Sequence, residues 1–521
     1  GSFDLASVLS QIPDPDIRSM VKDMLAVKPS QRGSFSQHLQ VQCGKAFPAA
    51  FYSFLYPYLI SIQRSDPSSV SRPSGKSTSV AKTVPAVESA APSSEHGIHS
   101  ETSSKSGYVT SSLSSLRSEA DDRLERLYED WALIHERLRG SQKGGSPSTA
   151  GTEAFDDESP FVRESKPAED VFPVTLAIPG ISPNVLKTRL PNPRDDGQGL
   201  LLLSVILSNL RNAARPSTRV HALDMVLHLC NGHITDTCKL DRLLPFVVSL
   251  FDDSSAPVRA AACRTATQIL MLVEDLPSAN ITVFSEYVVP QFQRLRSDSS
   301  VLVRTSYASS LARLCDTAMM HLNALKPNLA SEPDRQKFAD QQEDLNECLQ
   351  VEVASLLQDE STTVKCTLLA DVDRLCACFG VAVANDILLS HMTTYLNNKD
   401  WRLRESFFQA IVHVGSIAGG ASLESYILPF VMEALSDPEQ AVALRVLECL
   451  QGLVRSGSLQ PPKIHEILEI VVCFLCHPAI WLRHQTAGLV AGCVERLDET
   501  ERWAFAYPYI RPLLHSDVSR I

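Results

Sequence analysis

Asp253-Ser254-Ser255-Ala256-Pro257-Val258-Arg259 is a polar turn running into the first turn of a helix, and the same frame returns along the chain. It comes back as Asp298 to Val303-Arg304, Asp359 to Val364-Lys365, Asn398 to Leu403-Arg404, Asp437 to Val442-Ala443 and His477 to Leu482-Arg483. In every copy a polar turn residue stands five positions before an aliphatic one. The aliphatic positions are separated by 45, 61, 39, 39 and 40 residues. A weaker copy, Thr218-Arg219, lies 40 residues before Val258.

One copy shows the physics of the unit. Asp and Ser can accept hydrogen bonds from the free N–H groups of a new helix. Pro257 sits near the helix start, where a missing N–H costs little. Val258, Ala262, Ala266, Ile269 and Val273 then form one helical stripe. The preceding apolar run, residues 240–250, supplies a partner helix. Neither helix can hide its apolar face alone, so neighbouring pairs must stack. A period of about 40 with two helices per unit is that of a HEAT-type α-solenoid. The expected fold is therefore all-α, with about seven such pairs over residues 196–521 and a truncated last repeat. An Arg or Lys follows the aliphatic residue in five of the six full copies; Val442 is followed by Ala443. Such a row of cations can bind an acidic partner or pair with the turn carboxylates of adjacent repeats. The second use is favoured where each unit touches only its neighbours.

Composition narrows the function classes. A net charge of −12 argues against a general nucleic-acid-binding surface. The 13 cysteines are odd in number and lie on apolar stripes, which suits a reducing compartment better than a disulfide scaffold. No apolar run reaches the ~18 residues of a membrane-spanning helix, and no signal peptide is present. Gly1-Ser2 in place of an initiating Met, and a turn at Ser516-Asp517-Val518 with no helix after it, read as the cut ends of a fragment.

Residues 1–42 stand outside the repeat. Ile17, Met20, Val21, Met24 and Leu25 form an amphipathic helix that closes with Lys28-Pro29-Ser30-Gln31-Arg32. This Ile-Arg-x-Met-Val-x-x-Met-Leu-x-x-x-Pro-x-x-Arg pattern resembles the last helices of a protein-kinase C-lobe. In that family the Arg matching Arg32 pairs with the Glu of an Ala-Pro-Glu motif, which is absent here. The Gly-rich loop, strand lysine, catalytic loop and Asp-Phe-Gly site are absent too. An aromatic connector follows over 43–63, with Phe47, Phe51, Tyr52, Phe54, Tyr56 and Tyr58. Residues 64–118 form a Ser-rich linker, disordered by composition. Over 119–139, Leu124, Leu127, Tyr128, Trp131, Ile134 and Leu138 make a clear helical stripe. Its best use is to cap the first repeat. Docking of a partner helix or a membrane surface is the alternative, and the acidic flank Glu119-Ala120-Asp121-Asp122 disfavours anionic lipid. Residues 140–195 read as a second linker, with an unassigned apolar patch at 171–181. The 61-residue step holds an insertion at 326–342, read as a surface loop, with a partner-contact loop as the alternative.

A kinase tail, an aromatic connector and a HEAT array, in that order, resemble the regulatory subunits of the class III phosphatidylinositol 3-kinase. That family joins a serine/threonine kinase-like domain, HEAT repeats and a WD-repeat propeller. The resemblance extends to Asn385 through Met392 with Trp401-Arg402-Leu403-Arg404, and to Cys476-His477-Pro478 with Trp481-Leu482-Arg483. It implies a scaffold that holds the lipid-kinase catalytic subunit and beclin-type coiled-coil subunits. It also implies a cytoplasmic location, peripheral on endosomal and autophagic membranes. ATP and Mg are implied only for the kinase domain of the full-length family. Two rivals stand: part of an active protein kinase whose motifs lie upstream, or an unrelated HEAT protein such as a phosphatase scaffold or a transport receptor.

No catalytic, cofactor-binding or metal residue is expected in this stretch. Cys473-Phe474-Leu475-Cys476-His477 resembles half a zinc site, but no second ligand pair follows. Those cysteines are expected in the core, as are Cys376, Cys378, Met319, Met320, Phe407 and Phe408. His221, His228, His233, His391, His413 and His484 show no catalytic spacing. Gly419-Gly420 reads as a helix cap.

Overall fold

The computed structural model describes residues 9–29, 32–43, 45–47, 54–64, 118–142, 197–277, 282–325, 332–383, 388, 390–418, 423–457 and 459–515. Both linkers (apart from their edges), the 171–181 patch, Asn385-Asp386-Ile387, Gly419-Gly420 and Ser516-Asp517-Val518 lie outside the described residues. The described chain is helical, with one isolated bridge between Cys43 and Phe47. It divides into two compact units, one of residues 1–150 and 204–218, the other of 151–203 and 219–521.

In the first unit Asp14 caps the Pro15–Met24 helix by accepting from the amides of Asp16 and Ile17. No residue of that helix is buried: of the expected stripe, Met20, Val21 and Met24 are half-buried and Ile17 is exposed. Arg32 donates from Nε to the Ala26 carbonyl at 2.7 Å. The 119–139 stretch is two helices, Glu119–Glu129 and Trp131–Gln142. Leu124, Leu127, Tyr128, Trp131 and Ile134 are all buried, as the stripe requires. Asp130 interrupts the pair and accepts from the Tyr58 hydroxyl at 2.7 Å.

A carboxylate anchors the Glu119–Glu129 helix. Asp121 is buried and accepts from the backbone N–H groups of Ala214 and Arg215, at 3.2 and 3.0 Å, where the Pro216–Cys230 helix begins. Glu125 accepts from the Thr218 hydroxyl at 3.2 Å and faces Arg215. A negative charge at a helix N-terminus, on N–H groups that would otherwise lack partners, is stabilising. Burial alone would raise the Asp121 carboxyl. The hydrogen bonds from Ser118, Arg215 and Ala214 together outweigh it and hold the group below its ordinary value.

In the second unit each repeat has a first helix, a turn and a second helix. The second helices run Pro216–Cys230, Ala256–Met271, Val301–Leu325, then Thr362–Ala370 with Val372–Val383, then Trp401–Ala418, Gln440–Ser456 and Ile480–Arg496. From Ala256–Met271 onward each packs against the next. The anchors Val258, Val303, Val364, Leu403, Val442 and Leu482 are at most 1% exposed. The stripe of Val258, Ala262, Ala266, Ile269 and Val273 is buried throughout. Gly457 closes the Gln440–Ser456 helix at φ 74°, in the left-handed region that suits glycine.

The turn residues do more than cap. Asp253, Asp298, Asp359 and Asp437 each accept from the amide two residues on, at 2.7–2.9 Å. The serines that follow in the turns of Asp253 and Asp359 cap nothing with their own side chains. Each aspartate also receives the arginine one repeat back: Arg219 to Asp253, Arg259 to Asp298, Arg304 to Asp359 and Arg404 to Asp437. The Arg259–Asp298 pair is a two-bond fork at 2.7 and 2.7 Å. The remaining Arg259 nitrogen donates to the Asp253 carbonyl at 2.8 Å, and Arg304 does the same to Asp298. The cations of the repeat thus fasten turn to turn.

First helices often begin wide. Lys239–Leu243, Val283–Val288, Leu423–Ile427 and Arg502–Ala506 are π-turns, and Pro245, Pro290, Pro429 and Pro508 follow them. A proline ring inside a helix strikes the carbonyl four residues back, and a wider turn removes that carbonyl from its path. The insertion differs from expectation. Residues 332–342 are helical and lengthen the Glu332–Leu357 helix, which follows the 25-residue Val301–Leu325 helix. Residues 326–331 lie outside the described residues. The run holds Pro333 only in the first turn, where it breaks no hydrogen bond.

Two predictions follow from these charges. Removing one side of a rung, as in Asp298→Ala, leaves Arg259 largely shielded and unpaired. The loss should be about 2 kcal/mol, between the ~1 of an exposed pair and the ~3–5 of a buried one. Urea unfolding followed by helical circular dichroism checks it, and Arg259→Ala/Asp298→Ala should cost clearly less than the sum of the singles. Asp121→Asn should loosen the Glu119–Glu129 helix at neutral pH, read as faster amide exchange over residues 118–131. Because the Asp121 carboxyl lies below its ordinary value in the fold, its contribution is present above the usual carboxylate range and fades as pH falls through the lowered value. The difference between wild type and variant should therefore shrink in acid.

Candidate interaction surfaces

Chemistry-bearing side chains were expected to be structural, and the structure places them one by one. Cys473 and Cys476 are exposed, which corrects the expectation of core cysteines. The buried positions of that first helix are Ile464, Ile467, Leu468, Val471 and Leu475. Two residues past Val471, and five past it, fall off that stripe at 100° per residue. His477 takes the aspartate's part in its turn: Nδ1 accepts from the Ala479 amide at 3.0 Å. Cys376 is buried, and burial pushes its thiol up to about 12. Cys378 is only half-buried and meets Cys315, whose thiol burial raises strongly. A thiol held in its neutral form is a poor nucleophile.

Phe407 and Phe408 are buried as expected and meet edge to face at 5.0 Å. Met319 is half-buried and Met320 is exposed, which corrects the reading of both as core. They lie between the buried Ala318 and the buried His321 and Leu322, so their helical phase turns them off the packed side. His228 and His233 are buried, while His391 is half-buried and His413 and His484 are exposed. Gly199 lies so close to the His233 carbonyl that a Cβ would stand 2.2 Å from it.

Among the described residues, no group of three or more His, Cys, Asp or Glu is arranged to hold a metal ion. The glycines with positive φ, Gly232, Gly380 and Gly457, stand singly along the chain, which is no phosphate-cradling loop. No described helix is long and apolar enough to cross a membrane.

What the stretch does present is edge and face. At the turn edge Leu302, Ile480 and Trp481 are exposed, and the Arg402 guanidinium lies 5.0 Å from the ring of Trp401. Beyond them, His465 stacks on the exposed Phe505 at 4.2 Å. Inside, Glu352 is fully buried between Arg296 at 2.8 Å and the Tyr307 hydroxyl at 2.9 Å. Sequence reasoning missed that network, because Glu352 sits between apolar residues with no visible partner nearby in the chain. It also missed the π-turns, whose signal was available: Pro245, Pro290 and Pro429 each stand eight residues before a turn aspartate.

Comparison with known proteins bears on the whole array. A family model described as "PIK3R4-like, middle domain" matches residues 202–521. The serine/threonine-protein kinase VPS15 of Arabidopsis thaliana is 28% identical over 547 residues, covering 99% of this chain and 35% of that protein. Its namesake in Schizosaccharomyces pombe is 29% identical over 561 residues, covering 100% of this chain and 30% of that protein. The chain thus spans about a third of the length of the curated relatives it matches. Among solved structures, the karyopherin Kap121p bound to the SUMO protease Ulp1p aligns with 61% of this chain and 36% of its own, at 15% identity and TM-score 0.37. A designed armadillo repeat protein aligns with 48% of this chain and 99% of its own, at 13% identity and TM-score 0.32. With a family model covering more than half its length, the chain belongs to the PIK3R4-like family of VPS15-type subunits, residues 202–521 forming the middle domain.

Proposed function

We propose that this stretch is a scaffold arm of the class III phosphatidylinositol 3-kinase complex. It holds the lipid-kinase catalytic subunit and beclin-type coiled-coil subunits for endosomal sorting and autophagy. Its membrane association is peripheral and runs through the complex. The observation that carries the reading is the match of the middle domain to a run of stacked helix pairs fastened turn to turn. A stack in which each unit grips the next offers a long surface for many weak contacts, which suits simultaneous binding of several subunits.

On this reading residues 1–42 are the end of a kinase-like C-lobe, 43–63 a connector, 119–139 a cap and 196–521 the arm. ATP and magnesium belong to the kinase domain of the full-length family. A second reading rests on the names of the relatives, which are serine/threonine-protein kinases. Under it the arm would serve an active protein kinase rather than hold subunits.

The test is co-purification of the 521-residue chain with the class III catalytic subunit, read as mass by light scattering on size exclusion. A stable one-to-one complex is expected. Elution of the two as separate species, with the chain helical by circular dichroism, would sink the claim that the arm binds on its own.

A further inference from the structure

On the solvent side of the first helices, apolar residues recur at one register. Phe430, Ile470 and Tyr509 follow each other at 40 and 39 residues and are 44%, 42% and 40% exposed. Val351, 58% exposed, stands two repeats earlier and one residue off that register, and the half-buried His391 holds the register in the repeat between. The flanking positions are buried: Leu428 and Val431 around Phe430, Leu468 and Val471 around Ile470. Packing of those neighbours fixes the rotation of these two helices, so Phe430 and Ile470 point outward by the helical period. A single exposed apolar side chain needs no explanation. One that returns at the same place in successive repeats does, because aligned repeats join the positions into one strip.

Exposed acids flank the strip. Glu433 lies three residues after Phe430, and Glu469 beside Ile470. Glu466 lies one turn before Ile470, and Lys463 is engaged by it at 2.8 Å. The acidic character ends near Tyr509, where Arg502 and Arg511 are exposed.

The spacing selects the occupant. Packed helices stand about 8–10 Å apart, and a helix rises about 10.5 Å in seven residues. A helix laid across the first helices therefore places one apolar side chain over each member of the strip at heptad spacing. We infer that the strip from Phe430 to Tyr509 is a docking surface for one amphipathic helix of a partner protein. That helix is apolar at every seventh position and basic along its flanks over the acidic part. The inference goes beyond the scaffold reading and does not need it.

The probe is a labelled synthetic 28-residue helix with leucine at each heptad position and lysine on its flanks, titrated by fluorescence anisotropy into the chain at 0.1 M salt. A twin carrying glutamate on its flanks is the control. The lysine peptide should bind at least tenfold more tightly than its twin. Phe430→Asp/Ile470→Asp should weaken it at least tenfold, with unchanged circular dichroism. Glu433→Lys/Glu469→Lys, which keeps the apolar strip, should abolish the preference between peptides. Equal binding of both peptides, or undiminished binding to the Phe430/Ile470 variant, overturns the inference. So does a fall in mass from dimer to monomer in that variant, which would make a second copy of the chain the occupant.

Discussion

The array depends on a turn carboxylate, at Asp253, Asp298, Asp359 and Asp437, doing three jobs. The turn aspartate accepts its own backbone amide two residues on, which shapes the turn. It places negative charge at the start of the following helix, where the peptide dipoles favour it. It then takes the fork of an arginine from the repeat before. The first two jobs orient the carboxylate, so the third is made without further loss of side-chain freedom. Burial by itself would raise the carboxyls of Asp298 and Asp437, yet the guanidinium and backbone bonds outweigh it and hold both below their ordinary value. Their arginines are raised in turn, chiefly by the hydrogen bonds to the carboxylates. The rungs are charged as built.

Where the chemistry changes on one side of a rung, it changes on the other. Asn398 stands where an aspartate is expected, and the cation facing its turn is Lys365 rather than arginine; its ammonium lies 5.5 Å from the Tyr395 ring instead. His477 stands in the same place two copies later, and the cation position before it is Ala443. A guanidinium shielded from water without a carboxylate would be costly. A turn without the carboxylate, facing alanine, avoids that cost, and the turn itself survives because Asn398 Oδ1 and His477 Nδ1 still accept the local amide.

Much of this was legible in the sequence. A fixed five-residue offset from polar turn residue to aliphatic anchor reports a covalent geometry, so it found every buried anchor from Val258 to Leu482. The Leu124–Ile134 stripe was readable for the same reason. The misreadings came from treating residue type as burial. Cys473, Cys476 and Met320 are of types that favour cores, but their helical phase carries them off the packed side, and phase outranks type. The insertion looked like a loop because it is polar. A helix needs an apolar stripe only where it is covered, and residues 332–342 lengthen one at its end. The Glu352 network spans residues 56 and 45 positions apart, a distance at which no local pattern reports.

The repeat between Val364 and Leu403 shows what the ladder contributes by lacking it. Its second helix is broken at Asp371 and again at Gly380, whose φ of 75° no helix interior adopts. The described part of the next first helix is only Ser390–Met392 and Thr393–Tyr395. Toward the preceding repeat the broken helix is tied ionically, Arg313 to Asp371 at 2.7 Å and Arg374 to Asp316 at 2.9 Å. Toward the following one the ties are of another kind: Thr362 to Asp400, Cys366 to Ser406, and apolar packing around Val364 and Leu403. Apolar packing is non-directional and tolerates small sliding, whereas a two-bond fork fixes register. Stability along such an array is a sum of local terms. Among the described residues this joint, like the one between Ala443 and His477, therefore holds by burial what its neighbours hold by burial and charge.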